Sequence, residues 1–346
     1  MIIVLAVLIL WPMSAIAAPA ISGTSGTMSH GSSVTISGTA FGSKGGTNSN
    51  KPLIWADFES SINPTSLGHY TAWDGNQNLS RNVGGTQYGN SGANVVGTRS
   101  AGVQAFAFQL VHTFSSKLYA TGKRRWSAWN GSANYKYFRL WNDVPSSLLA
   151  TNLSDGTIYD ESHTNQDNRF QGVQPTANVW RMEEFLWRKA TTTCTGDPAS
   201  ANGFWEMRVN AAQQQLLNGT LCSNLSANYG QGLGLEVFDN FDTNQDLANG
   251  TNIWMDDIYI DDTWAHVIIG NASTLAASTV REVQIPSAWS DTSITVTVNR
   301  GSFGESASAW LFVVDANNGV SAGQSITFGA GGGGGGTASP GGMDLF

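Results

Sequence analysis

The fold class this sequence predicts is all-β, a jelly-roll β-sandwich, and three observations carry the prediction. Only 12% of the 346 residues are charged, while Gly numbers 40 and aromatic residues make up 10%. Low charge with many strand and turn formers fits an all-β chain better than a helical one. Between Leu53 and Asn271, aromatic-rich segments recur at strand length, nearly all separated by Asn-Gly, Asp-Gly or Ser/Asn-rich turns. Finally, the sequence offers no amphipathic helix of ten or more residues; Ala211–Leu217 alone could make a short helical turn.

Taken in order, residues 1–18 begin with the apolar run IIVLAVLIL and continue into Ser14-Ala15-Ile16-Ala17-Ala18. That pattern reads as a secretory signal peptide with an A-x-A site at Ala15 and Ala17. The run is too short for a comfortable transmembrane helix, so a secreted or cell-surface location, of bacterial type, is expected. Two short strands follow in residues 19–42, and then Ser43–Asn50, a Gly/Ser/Asn-rich linker. The strand candidates beyond it are Leu53–Phe58, Gln104–Phe114, Tyr135–Trp141, Trp180–Lys189, Phe204–Asn210, Leu233–Phe238 and Asn252–Ile260. In an exported chain Cys194 and Cys222 read as a disulfide rather than two thiols. Such a bridge would clamp the Phe204–Asn210 hairpin and contribute about 3 kcal/mol. The tail, residues 329–346, is dominated by polyglycine, which has no side chains to bury and maximal backbone entropy to lose.

The formal net charge of −8 argues against a nucleic-acid partner, because phosphate binding needs a basic stripe. The one basic cluster, Lys123-Arg124-Arg125, reads as a solvated hairpin. Asp256, Asp257, Asp261 and Asp262 read as edge-strand and turn residues. Asp242, Asn244 and Asp246 have the D-x-N-x-D spacing that lets alternate side chains converge on calcium. Leu247 stands where an EF-hand loop needs Gly, so two readings stay open: a structural calcium in a loop, or an Asx-rich turn. No other cofactor is called for.

Two segments at opposite ends of the chain carry a resemblance. PAISGTSGTMSHGSSVTISGTAFG (residues 19–42) pairs an opening P-x-I strand with a G-x-x-V-T-I-S-G-x-x-F-G strand and turn. VQIPSAWSDTSITVTVNRGSF and AWLFVVDANNGVSAGQSITF, within residues 272–328, add a W-S-D-T-x-I-T-V-x-V strand and a closing hairpin. Together they resemble an IPT/TIG immunoglobulin-like domain. The resemblance implies one small sandwich made of residues 19–50 and 272–328, with residues 51–271 inserted. The inserted block, through YKYFRLWND, WRMEEFLWRK, NGFWEMRVNAAQQ and IWMDDIYIDDTWAHVIIGN, resembles the concanavalin A-like jelly roll of lectins, glucanases and polysaccharide lyases. The tail resembles the spacer of a GlyGly-type C-terminal sorting signal, which implies a cell-surface tether; a plain flexible terminus is the other reading.

Strand alternation assigns faces. Tyr135, Tyr137, Arg139 and Trp141 share one face of their strand. Arg181, Glu183 and Trp187 share one face of the next, and Glu206 and Arg208 one face of a third. Aromatic rings can stack on pyranose C–H surfaces while Arg and Glu hydrogen-bond hydroxyls or carboxylates. These nine residues form the candidate binding face for extracellular polysaccharide, and recognition without catalysis is the expected function. An alternative is a polysaccharide lyase acting on an acidic glycan, with Tyr137, Arg139, Arg208 and His112 as base and carboxylate-neutralising groups. A second alternative is a structural or adhesive module that binds a protein. A glycosidase is disfavoured, since Glu183 and Glu184 are adjacent on a strand and point to opposite faces.

Overall fold

The computed structural model describes residues 17–60, 65–66, 79–98, 108–110, 114, 116–129, 135–141, 148–152, 158–160, 175–189, 203–221, 235–242 and 250–329. Every regular element among them is a strand, and every strand pairing is antiparallel. The fold class is all-β, as the composition and turn spacing predict.

Seven strands form the first sheet. They are β1 (Ala20–Ser25), β2 (Ser33–Thr39), β17 (His266–Gly270), β18 (Arg281–Trp289), β19 (Ser293–Thr297), β20 (Ser308–Val314) and β21 (Gln324–Thr327), in the order β1-β2-β19-β18-β17-β20-β21. The two ends of the chain meet here: Val34 lies opposite Val296, and Ile36 opposite Ile294. β18 bonds β17 through Arg281–Gln284 and β19 through Ile285–Trp289, with a register shift between Pro286 and Ala288. Proline lacks the N–H that an unbroken ladder needs, so it marks the break. Side chains from both halves of this sheet, including Ile36, Phe41, Val267, Ile294, Leu311 and Phe328, join in one apolar core. Each such aliphatic group contributes about 1.5–3 kcal/mol by leaving water.

Nine strands form the second sheet: β3 (Ile54–Ala56), β4 (Thr65–Ser66), β5 (Leu79–Val83), β6 (Ala93–Thr98), β8 (Lys117–Trp126), β12 (Arg181–Arg188), β13 (Gly203–Val209), β14 (Ala212–Leu221) and β16 (Asn252–Asp261). The main path is β14-β13-β12-β8-β16-β3-β4, with β6 also on β16 and β5 on β6. A third sheet runs β11 (Ile158–Asp160), β10 (Leu148–Asn152), β9 (Tyr135–Trp141), β15 (Leu235–Asp242), β7 (Phe108–Leu110). Between β3 and β16 the chain passes back and forth between these two sheets, which is the connectivity of a jelly-roll sandwich.

The structure differs from expectation at three places. Ala211–Leu217 forms no helical turn: Asn210 and Ala211 make a two-residue hairpin turn and the rest is strand β14. Lys123 and Arg124 are not in a solvated hairpin but buried on β8, an inner strand of the nine-stranded sheet. Asp256, Asp257 and Asp261 are likewise buried, on β16, where a bulge between Asp256 and Tyr259 holds Asp257 at φ 49°. The Ser43–Asn50 linker is a pinned loop. Lys44 Nζ meets Asp261 at 2.5 Å with both side chains fully buried, the Thr47 N–H donates to Asp262 at 2.9 Å, and the Thr263 hydroxyl donates to the Lys44 carbonyl at 2.6 Å.

The seven-stranded sheet packs its other face on the nine-stranded sheet. Ile268, Phe312 and Val314 meet Met182, while Trp264 and Val283 meet Trp55, Tyr119, Leu186, Phe204 and Tyr259. Trp264 fixes this seam: its indole N–H reaches the carbonyls of both Leu118 and Trp187, 3.1 Å from each.

Candidate functional site

Where the seam opens, a cleft of about 420 Å³ lies between the two sheets. β8 gives it Tyr119, β12 Glu184, β13 Glu206 and Arg208, and the adjoining turn and β14 give Ala211 and Gln213. The seven-stranded side contributes His266, Arg281 and Asn318. Ala211 and Asn318 both hold positive φ, at 65° and 68°. Left-handed backbone is uncommon for a side chain other than Gly and clusters at functional sites.

Antiparallel register explains why these groups converge. Glu184 stands opposite Arg208 and Leu186 opposite Glu206 across β12 and β13, and Tyr119 stands opposite Leu186 across β8 and β12. Alternation therefore puts Tyr119, Glu184, Glu206 and Arg208 on the face turned toward the seven-stranded sheet. His266 arrives from β17 and stacks on Tyr119, ring centroids 4.0 Å apart and planes 8° apart.

The polar groups are paired in two sets. In the deeper set the Tyr119 hydroxyl donates to Glu184 Oε1 at 3.2 Å and Arg281 Nη1 donates to Glu184 Oε2 at 3.0 Å. Burial alone would raise the Glu184 carboxyl, but Arg281, Arg208 and the Tyr119 hydrogen bond together hold it below its ordinary value. Tyr119 is pushed well above the usual phenol range by burial and by Glu184. In the outer set Arg208 Nε and Nη2 each donate to Glu206 at 2.8 Å, and Gln213 donates to the same carboxylate at 2.8 Å. The Arg208 guanidinium is raised, with Glu184 and Glu206 outweighing its burial. His266 donates from Nδ1 to the Trp264 carbonyl at 2.7 Å, which leaves Nε2 as the acceptor nitrogen. Burial lowers this imidazole to about 4, so it is neutral at ordinary pH.

Beside the cleft the seam is locked by charge. Lys123 Nζ lies 2.8 Å from Glu282 and donates to the Arg281 carbonyl at 2.9 Å. The Tyr88 hydroxyl donates to Glu282 at 2.6 Å, and Asn299 donates to Asp257 at 3.1 Å. Asp257 is pushed up to about 7 by burial and by Glu282, and Asp261 to about 7 by burial despite Lys44.

The nine residues of the candidate face fall into three places. Tyr135, Tyr137, Arg139 and Trp141 alternate along β9 of the five-stranded sheet, and their side chains lie outside the described residues. Arg181, Glu183 and Trp187 are buried on one face of the nine-stranded sheet. There Glu183 accepts from Arg181 Nε at 2.6 Å and from Arg124 Nε at 3.0 Å, and both guanidinium groups lie over Trp126. Glu206 and Arg208 are on the opposite face, in the cleft. Alternation within each strand is as the sequence predicts, but the phase between strands differs. β12 and β13 are joined by a long connection, so no tight turn in the sequence fixes their register.

His112, Cys194, Cys222, Asn244 and Asp246 lie outside the described residues, as does the side chain of Asp242. Among the described residues no group of three or more His, Cys, Asp or Glu side chains has an arrangement that could hold a metal ion. Sequence reading missed Tyr119, Glu184, His266 and Arg281. His266 follows strand β16 by a few residues, and the apolar Val267-Ile268-Ile269 after it was the available sign of a buried strand.

No family model matches this chain, and no curated protein matches it. Among solved structures it is similar to an endo-β-1,4-glucuronan lyase from the fungus Trichoderma reesei, at 10% identity and a TM-score of 0.39, over 62% of this chain and 97% of that one. It is similar to a cellulose-induced protein at 15% identity and a TM-score of 0.40, over 61% and 97% of the two chains. An alginate lyase aligns at 10% identity and a TM-score of 0.31, over 52% and 86%.

Proposed function

We propose that this protein is exported and recognises extracellular polysaccharide without chemically altering it. The observation that carries the reading is the cleft, where Glu206, Arg208, Gln213 and His266 offer donors and acceptors around an opening of about 420 Å³. A cavity of this size with a few converging polar groups suits a small-molecule or chain segment of sugar size. The apolar leader at residues 2–10 supports export, and the glycine-rich tail at 329–346 supports a surface tether.

Catalysis by β-elimination has less support at this cleft. It needs a cation free to neutralise a uronate carboxylate beside the base. Both arginines that line the cleft, Arg208 and Arg281, are already engaged by glutamates. The test is a glycan array on the full-length protein, read beside ultraviolet absorbance on acidic glycans. Binding with no rise in absorbance is the expected result. A rise would establish the lyase reading, and neither binding nor a rise would leave the adhesive module.

A further inference from the structure

We infer that the seam cleft takes an uncharged glycan, reading vicinal hydroxyls with the Arg208–Glu206 pair and accepting a hydrogen bond from one hydroxyl at His266 Nε2. The inference rests on the polysaccharide reading above and specifies its substrate class.

Charge balance is the first ground. The cleft holds two carboxylates, Glu184 and Glu206, and two guanidinium groups, Arg208 and Arg281, each acid bonded to its own base. Tyr119 and His266 add no charge. An anionic sugar would add a third carboxylate beside Glu184 and Glu206, with no further cation among the described residues of the cleft lining to balance it. The protein as a whole carries a net charge of −8, which opposes the approach of a polyanion.

Unused valence is the second. Arg208 Nη1 has no hydrogen-bond partner among the described residues, nor has His266 Nε2, and both residues line the cleft. A hydroxyl both donates and accepts. Adjacent hydroxyls can therefore accept from Arg208 and donate to Glu206 Oε2, which has accepted one bond so far. The hydrogen on Nδ1 is committed to the Trp264 carbonyl, which fixes the tautomer that makes Nε2 an acceptor.

Shape is the third. The cleft shares Leu275, Ala276 and Val320 with a neighbouring hollow of about 260 Å³ that continues to Ser273 and Gly323. The polar end thus runs into an apolar trough, as a pyranose chain with hydroxyl edges and C–H faces requires.

Isothermal titration of the full-length protein tests this, with neutral cello-, xylo- and manno-oligosaccharides in one arm and alginate and polygalacturonate oligosaccharides in the other. A neutral oligosaccharide should bind, with affinity unchanged between 50 mM and 500 mM salt. Glu206→Gln and Arg208→Ala should each weaken it about 10-fold or more, because each removes a hydrogen bond to a charged group, and His266→Phe should weaken it several-fold, because the bond lost there is to a neutral imidazole. Val320→Trp guards against misfolding: Val320 is 38% exposed at the mouth, so the ring should block binding with the melting temperature unchanged. Binding of acidic oligosaccharides alone, weakened by salt, overturns the inference and leaves the polysaccharide reading standing. Neutral binding that survives Val320→Trp and Arg208→Ala also overturns it, and moves recognition to another face. If no oligosaccharide binds in either arm, the polysaccharide reading itself falls.

Discussion

Two interfaces among the described residues are built from opposite materials. Inside the seven-stranded sheet the contacts are aliphatic and aromatic, with Val34, Ile36, Val267, Ile294 and Leu311 at their centre. At the seam with the nine-stranded sheet, apolar contacts alternate with buried ion pairs: Lys123–Glu282, Arg281–Glu184 and Lys44–Asp261. The first kind of contact tolerates small shifts, because dispersion and burial have no direction. The second is all or nothing, since a charge left alone in a dry interior costs more than the pair contributes. The seam is therefore the part that specifies how the sheets sit, and the part that conditions can upset.

The largest expected effect breaks one seam pair. Lys123→Met strands Glu282 and should cost about 3–5 kcal/mol of stability, whereas Lys123→Met with Glu282→Leu should recover most of it. A double-mutant cycle by urea denaturation reads this directly; equal losses in the single and double variants would refute the pairing argument. In the aliphatic core, Ile36→Ala should cost about 2–5 kcal/mol. Its loss should be the same at every pH, because nothing around Ile36 in that core titrates.

The seam should respond to pH in both directions. His266 has a folded-state pKa of about 4, below its ordinary value near 6.5. Its contribution is therefore full above about 6.5 and is lost as pH falls toward 4. Asp257 and Asp261 are raised to about 7, so their contributions are full below about pH 4 and are lost as pH rises toward 7. Denaturation midpoints at pH 4.5, 6 and 7.5 should show His266→Phe removing the acid-side loss and Asp261→Asn removing part of the other. Curves parallel to the parent for both variants would show that neither group is linked to folding. The smallest effect is at the rim: Ala211→Gly should stabilise by about 1 kcal/mol, because it relieves a left-handed Ala at φ 65°. A measured loss of stability would contradict it.

The same contrast explains what could be read from the sequence. Period-two alternation located β9 to the residue and β12, β13 and β16 to within one or two, since a half-buried strand writes its faces locally. Burial of charge is not written locally. Lys123-Arg124-Arg125 looks solvated because Glu282 and Glu183, which neutralise Lys123 and Arg124, lie far along the chain. Asp261 looks like a turn residue because Lys44, its partner, lies far from it along the chain. The split of the candidate face has a similar origin: Glu206 and Glu183 each sit on the strand face their neighbours indicate, and only the pairing of Leu186 with Glu206 shows that these faces are opposite. His266 carried no motif, and its role follows from Tyr119 stacking on it from the second sheet.

β17 is where the two kinds of interface touch. Val267 and Ile269 face the aliphatic core while His266 and Ile268 face the seam, and all five residues of the strand are buried. One five-residue strand is thus a party wall between two rooms. Neither room can lose its furniture without shaking the other, so heating should melt both sheets in one cooperative transition, with matching calorimetric and van't Hoff enthalpies. A ligand held in the cleft beside His266 would then protect the whole molecule rather than its own neighbourhood.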